Sequence, residues 1–421
     1  MGLQPFSALR GFKDLLPGEA ERWAWIESVA RETFAAFGFA PIRTPILEPY
    51  DLFARSIGAT SDIVEKEIYM FDDWDGRKVS LRPEGTASVV RVWLEHGLAR
   101  GALRKFYYLG PMFRHERPQA GRLRQFHQIG AEILSEAAPR HDVELLSLLC
   151  DFTARLGIGG LTLEINTLGC PQCRPPYRAA LQRYLSERQA DLCEDCLRRS
   201  AVNPLRALDC KKEGCRMAVA GAPCPVDQTC GACGDHFKAV CDGLANLGLA
   251  YRLNPRLVRG LDYYTRTAFE LTNTALGAQN AVAAGGRYDG LIEALGGPPT
   301  PAVGFAIGME RLALLMSPDA APKPAPLLFI APLGTAAGRL LFPVLFRLRQ
   351  KNVRCEMGDD TAKLSAQLKR ADRLNAAHAL IVGDTEMAQN AAILRNMTTK
   401  TQQTLSLSTL AEEVLSHLAG K

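Results

Sequence analysis

The chain has 421 residues, 47% hydrophobic and 23% charged, with a formal net charge of +5. That balance is the one expected of a globular protein with ample material for its cores, and the charge permits an anionic partner without demanding one. No run of about 18 apolar residues offers a membrane span, and Met1-Gly2-Leu3-Gln4-Pro5-Phe6 lacks the basic-then-apolar pattern of a secretory leader, so the expectation is a cytosolic protein with no membrane partner.

Trp25, Ile26, Val29, Phe34 and Phe37 fall at helical spacings, so Ala20 to Phe37 reads as an amphipathic helix with Gly38 as C-cap. Phe39 to Glu48 is extended, and its prolines place it at an edge or an interface. Lys78 to Leu81 is a strand. Arg82-Pro83-Glu84-Gly85-Thr86 turns from it into a helix Ala87 to Leu94, with Thr86 as the expected cap. Phe106 to Arg114 and Arg124 to Glu132 read as two strands of a long hairpin, joined by the polar loop Arg117 to Arg122. A helix from His141 to Leu156 and a strand from Leu161 to Asn166 follow.

Ten of the 12 cysteines lie between Cys170 and Cys241, and strand-rich sequence resumes at Tyr251. This stretch therefore reads as an insertion in a larger domain. In the cytosol its cysteines should be thiols or metal ligands. Ser317 to Pro326 is a stiff Pro/Ala-rich linker. Beyond it, strands at 327–331, 353–356 and 379–382 alternate with helices at 336–350 and 361–374. The pattern is that of a small α/β domain of roughly 95 residues.

Two segments are dense in costly groups. Arg256 to Glu270 packs Arg259, Asp262, Tyr263, Tyr264 and Glu270 into an apolar, strand-like run, where burial demands partners. Taken alone, adjacent tyrosines in a strand are more often packing than ligand-binding. In the hairpin, Gln128 and Glu132 are four apart on one strand and face one side, while Arg114 directly follows an apolar strand. An isolated charge cluster such as Arg114-His115-Glu116-Arg117 is usually a solvated turn.

Phe113-Arg114-His115-Glu116 with its hairpin resembles motif 2 of class II aminoacyl-tRNA synthetases. Gly304-Phe305-Ala306-Ile307-Gly308-Met309-Glu310-Arg311-Leu312 resembles motif 3, and Gly38 to Glu48 around Pro45 resembles motif 1, the dimer segment. Leu257 to Thr265 and Ala284-Gly285-Gly286-Arg287-Tyr288-Asp289 resemble the two signatures peculiar to histidyl-tRNA synthetases of bacterial type. The resemblance runs from Arg10 almost to the C-terminus. It implies an α/β (α+β) fold, an antiparallel sheet flanked by helices, with a C-terminal α/β module of anticodon-binding type. The expected division is a catalytic core over 1–168 and 246–317, a cysteine-rich insertion over 169–245, a linker over 318–326 and the last domain over 327–421.

The implied activity is ligation of L-histidine to tRNA(His). The histidine carboxylate attacks the α-phosphorus of ATP, bound with Mg2+, to give histidyl-adenylate and pyrophosphate. A 3′-terminal hydroxyl of tRNA then takes the histidyl group. The nucleophile is already ionised, so catalysis should come from positioning and from cations on the phosphates. Arginine forks suit that task. By resemblance, Arg114 bridges carboxylate and α-phosphate, Arg259 approaches the α-phosphate from the other side, and Arg311 holds the distal phosphates. Glu116 and Arg122 are their nucleotide-side neighbours. Glu132 and Tyr264 take the two imidazole nitrogens, Glu84, Thr86 and Gln128 the α-amino group, and Tyr263 lines the pocket. Gly85 belongs to the same turn, and Gly285 and Gly286 let the backbone approach. Recognition by hydrogen bonds would discriminate by a factor on the order of 10⁴ without an editing domain. Arg117, Gln119 and Arg124 are candidates for the tRNA acceptor end, and Lys363, Lys369, Arg370 and Arg373 for phosphates in the last domain.

Cys170-Pro-Gln-Cys173 and Cys193-Glu-Asp-Cys196 have the spacing of one four-cysteine structural zinc site. Cys230 and Cys233 could form another half-site with Cys210 and Cys215. The alternative is an insertion of reduced, unligated thiols. Two other functions compete with the ligase: a non-catalytic histidine-sensing paralogue of the same fold, and a zinc-dependent nucleic-acid-binding protein. The second leaves the arginines idle. The first is disfavoured by the downstream domain and the intact arginine set. A homodimer is expected.

Overall fold

The computed structural model describes the chain except residues 1–5, 59, 60, 62, 211, 260, 262, 278, 279, 318, 324, 420 and 421, with residues 199, 201, 202 and 419 described by backbone alone. Asp262 and the linker prolines 318 and 324 thus lie outside the described residues. The chain forms two compact units, Met1–Ala321 and Pro322–Lys421.

In the first unit, helix α1 (Glu19–Ala36) buries Trp23, Ile26, Val29, Ala30 and Phe34, a stripe at helical period. Trp23 carries this face in place of Trp25, which is half-buried, as is Phe37. The sheet uses β1 (Ala40–Pro41), β2 (Lys105–Phe113), β3 (Gln125–Leu134), β4 (Leu161–Thr167), β5 (Arg252–Leu253), β6 (Thr265–Asn273), β7 (Ala281–Arg287) and β8 (Ala302–Gly308). Their order is β1-β2-β3-β8-β7-β6-β4-β5. The six central strands are antiparallel, and the two-residue edge strands join in parallel. A separate three-stranded sheet pairs Lys78–Leu81 with Leu47–Pro49 and Met70–Asp72.

Alternation along the strands gives the large sheet two apolar faces. On one face Ile129, Ala131 and Ile133 of β3 meet α1 and a helix at Pro139–Arg155. Phe34 sits at that junction, with ring centroids 5.3 Å from Tyr107, 5.6 Å from Phe152 and 6.1 Å from Phe305. On the other face Phe106, Tyr108 and Met112 of β2 meet Val89, Val90 and Trp93 of the helix Thr86–Glu95.

The cysteine-rich stretch is helical. Tyr177, Leu181 and Leu185 of the helix Arg174–Ser186 join the second face's core, together with Ala207 and Leu208. The helix Gly231–Asn246 instead places Phe237, Val240 and Leu244 in the core under α1.

The second unit holds a five-stranded sheet whose central strand is Ala376–Val382, with Leu327–Pro332 beside it. Leu328 and Ile330 point into one core, and Leu327, Phe329 and Ala331 into another on the opposite face. Two strands, Ala391–Asn396 and Gln402–Ser406, extend the sheet beyond the three that the pattern of apolar runs suggested.

Candidate active site

A cavity of about 310 Å³ opens between the β2–β3 hairpin, the turn at Glu84, and strands β6 to β8. Arg114, Arg259 and Arg311 all line it, although they come from three distant parts of the chain. Glu84, Thr86, Glu116, Arg122, Gln128, Tyr263 and Tyr264 line it too.

The arginines are held from behind. Arg114 Nε donates to the Pro83 carbonyl at 2.9 Å, and its guanidinium lies 5.2 Å from the Phe126 ring centre. Arg311 donates to the Ala281 carbonyl and, at 3.4 Å, to that of Gly121. Arg122 pairs with Glu116. Arg259 pairs with Glu270 and lies 5.5 Å from the centre of the Tyr264 ring. Burial lowers the pKa values of Arg114 and Arg311; repulsion from Arg122 and Arg114 adds to it at Arg311, while at Arg114 Glu67 and Glu84 oppose it and Arg259 adds to it. Burial also works against Arg259, but Glu270 reverses the effect and raises it. Four arginines thus share the cavity with the carboxylates of Glu84, Glu116, Asp209, Glu270 and Glu310, and the repulsion among the guanidinium groups is what a polyanion would relieve.

Arg256 to Glu270 is not one strand, since β6 begins only at Thr265. In a strand the rings of Tyr263 and Tyr264 would point to opposite faces. Off the strand, both face the cavity with centroids 4.6 Å apart. Burial raises both phenol pKa values, so the hydroxyls are neutral donors.

Glu84 explains itself partly as a cap. Its carboxylate accepts the N–H groups of Thr86 and Ala87, both at 2.8 Å, at the start of the helix. Glu84 thus caps where Thr86 was expected to. The Thr86 hydroxyl is then free to donate to Glu132 at 2.7 Å. Glu132 is wholly buried and also accepts from the Tyr288 hydroxyl. Two polar atoms at the cavity are buried without a partner among the described residues, Arg259 Nε and Gln128 Oε1.

Some expected residues sit one layer out. A Cβ on Gly85 would strike the Tyr108 ring, and one on Gly285 would meet Phe269 Cζ at 2.7 Å. Gly286, at φ +153°, forms a bulge with Arg287 and leaves room for Tyr264. Neither Gly285 nor Gly286 lines the cavity. Arg117 and Gln119 are exposed on the hairpin loop, whereas Arg124 is half-buried and donates to the Glu116 carbonyl at 3.2 Å. In the second unit, Lys363 caps the helix Leu364–Arg373, which carries Lys369, Arg370 and Arg373, and Arg370 pairs with Glu356. Tyr288, Tyr108 and Glu270 had no assigned role in the sequence reading. Tyr288 stood inside a quoted signature, but only the fold shows that it reaches Glu132.

The cysteine grouping read from spacing is wrong. Cys170 and Cys173 gather with Cys230 and Cys233, and Cys193 and Cys196 with Cys210 and Cys215. The 13-residue helix Arg174–Ser186 intervenes between the first two CxxC pairs, and at 1.5 Å per residue it carries the chain about 20 Å away.

The sequence pattern of the family described as histidyl-tRNA synthetase matches residues 11–312. The chain belongs to the histidyl-tRNA synthetase family. An anticodon binding domain pattern matches residues 328–417. The histidine–tRNA ligase of Geobacter metallireducens is 52% identical over 406 residues, covering 96% of this chain and 98% of the relative. That of Geobacter sulfurreducens is 52% identical over 413 residues, with coverage of 98% and 99%. The apo histidyl-tRNA synthetase of Staphylococcus aureus superposes with a TM-score of 0.81 at 34% identity, covering 97% of this chain and 99% of that one. The family's enzymes are aminoacyl-tRNA ligases, and the mixed fold with its large sheet is theirs.

Proposed function

We propose that the cavity activates histidine with ATP and then passes the histidyl group to tRNA(His). The carrying observation is the convergence of Arg114, Arg259 and Arg311 on one cavity that also holds the unpartnered Arg259 Nε and Gln128 Oε1. Buried polar atoms without partners are groups that a ligand would satisfy. Arg259 Nε suits the α-phosphate, and Gln128 Oε1 suits the α-ammonium. Arg114 bridges substrate carboxylate and α-phosphate, and Arg311, with Arg122 and Glu116 beside it, takes the distal phosphates. The imidazole lies toward Glu132 and Tyr264, with Tyr263 as a wall and Glu84 and Thr86 near the amino group.

No protein base is required, because the attacking carboxylate carries its charge already. The arginines act by position and by neutralising charge that builds on the phosphates. Magnesium enters with ATP as part of the substrate. Glu116, Glu270 and Glu310 are among the carboxylates on the cavity wall that could offer it oxygen ligands.

The same reading assigns 1–168 and 246–317 to catalysis, 169–245 to an insertion and 327–421 to tRNA, with Arg117, Gln119 and Arg124 near the acceptor end. It makes the protein a cytosolic homodimer. Exposed Ile46, Leu47, Met70 and Phe71 lie on or beside the three-stranded sheet, apolar surface that a second copy would cover. No helix among the described residues is long and apolar enough to cross a membrane.

Histidine-dependent exchange of pyrophosphate into ATP tests this. The purified chain should show it, and Arg259→Ala should lower its kcat by roughly 10²–10³-fold, as loss of one preorganised charge donor does. Exchange at wild-type rate in a folded Arg259→Ala protein would remove Arg259 from the chemistry. A histidine-sensing paralogue would bind histidine but exchange nothing.

A further inference from the structure

We propose that the stretch between β4 and β6 holds two zinc ions, each bound by four cysteine thiolates: Cys170, Cys173, Cys230 and Cys233 at one site, and Cys193, Cys196, Cys210 and Cys215 at the other. The geometry is that of a single tetrahedral ion. Zinc–sulfur bonds of about 2.3 Å in a tetrahedron place sulfurs about 3.8 Å apart. Cys170 Sγ lies 3.6 Å from Cys173 Sγ and 4.0 Å from Cys230 Sγ. Cys193 Sγ lies 4.0 Å from Cys210 Sγ. In each group all four ligand atoms fall within 4.8 Å of one another. A disulfide joins two sulfurs at about 2 Å and has no use for a third and fourth. Apolar packing asks a buried thiol to fill space, not to aim three others at one point, and here that happens twice.

The backbone around the sulfurs also suits thiolates. Cys230 N–H donates to Cys173 Sγ, and Cys193 N–H to Cys215 Sγ, both at 3.1 Å. Such bonds from outside the ligand shell orient the sulfurs and offset their charge. Cys173 and Cys230 are the cap residues of the helices Arg174–Ser186 and Gly231–Asn246, where the helix dipole favours a thiolate. Soft four-sulfur tetrahedra select zinc or iron, and zinc needs no redox partner.

Each ion has work that the apolar core does not do. Cys170 follows β4 after two residues, and Cys230 is 60 positions further on. The first zinc pins the start of the stretch to the cap of its last helix, closing that long loop. The second zinc holds Cys210, whose neighbour Asp209 lines the cavity described above. It braces that wall, whatever reaction the cavity performs.

The test is the metal content of the full-length chain, purified from zinc-containing medium without chelator. Mass spectrometry of the metals should find two zinc ions per chain, one for each cysteine group. Cys230→Ser and Cys210→Ser should each leave one, and the double variant none. Cobalt(II) exchanged into the wild-type chain should give the intense thiolate-to-metal absorption of four-sulfur sites, a readout that needs no substitution. One zinc ion or none in the wild-type chain, iron in place of zinc, or disulfides among these cysteines would overturn the proposal. So would a single zinc that survives Cys230→Ser but not Cys193→Ser, the outcome expected if Cys170, Cys173, Cys193 and Cys196 formed one site.

Discussion

Burial pushes the Glu132 carboxyl up to about 8, against the hydrogen bonds from Tyr288 and Thr86 that favour its charge. Near neutral pH the folded chain therefore keeps a proton there that the unfolded chain would release. Between the ordinary glutamate value of 4.5 and the folded value of about 8, the native state binds more protons, so stability falls as pH rises. The slope is at most about 1.4 kcal/mol per pH unit. Below that window this stability is fully present, and above it the loss is complete. Glu132→Gln has no such proton. Urea unfolding near pH 5.5 and near pH 7.5 should show the wild-type midpoint falling relative to that of the variant. A gap that stays constant with pH would mean that the carboxyl is ionised in the fold. The substitution should also raise KM for histidine, because a bound imidazole N–H favours the ionised carboxylate and a neutral carboxamide oxygen accepts it more weakly. Gly304 belongs to the same account, since any Cβ there would collide with the Glu132 carboxylate.

Elements are joined by a buried ion pair. Arg287 ends β7, and Asp142 sits in the first turn of the helix Pro139–Arg155, both fully buried. Arg287 Nη2 donates to Asp142 Oδ2 at 2.6 Å, and its Nη1 donates to the Glu136 carbonyl at 2.9 Å. His236 approaches the same carboxylate at 3.4 Å. Burial pushes the Asp142 carboxyl up, but His236 and Arg287 more than reverse it. Arg287→Ala strands that charge and should lower unfolding free energy by about 3–5 kcal/mol, measured by urea titration. A loss below about 1 kcal/mol would show that His236 or water compensates.

This tie is not legible in the sequence, although Arg287 stands in a motif, because no local pattern links positions so far apart. Local patterns did locate α1, the hairpin and the helix after Thr86 to within a residue or two, since spacing and turn chemistry specify those. The tyrosine pair was misplaced on a strand because apolar runs look alike whether or not they pair. The cysteine spacing fitted one zinc site, whereas folding brings the later pairs in from beyond the intervening helices. Residues converging on the cavity were legible through their motifs, while Tyr288 and Tyr108 became visible only once β2, β3 and β7 lay together.

The cavity and the anticodon-binding pattern lie on different stretches of the chain. Every residue named at the cavity lies between positions 84 and 311, inside the unit Met1–Ala321. The unit Pro322–Lys421 has its own cores on both faces of its own sheet, enough apolar material for independent folding. A chain ending at Ala321 should therefore keep histidine-dependent pyrophosphate exchange within about tenfold of the full chain, a change of about 1.4 kcal/mol at most. Its charging of tRNA(His) should fall much further, because the anticodon-binding segment is gone. The isolated 322–421 piece should unfold in one cooperative urea transition. If the shortened chain folds but exchanges nothing, the cavity depends on the second unit. The cavity's completeness within the first unit argues for the opposite outcome, in which amino-acid activation belongs to one unit and the second serves only the tRNA.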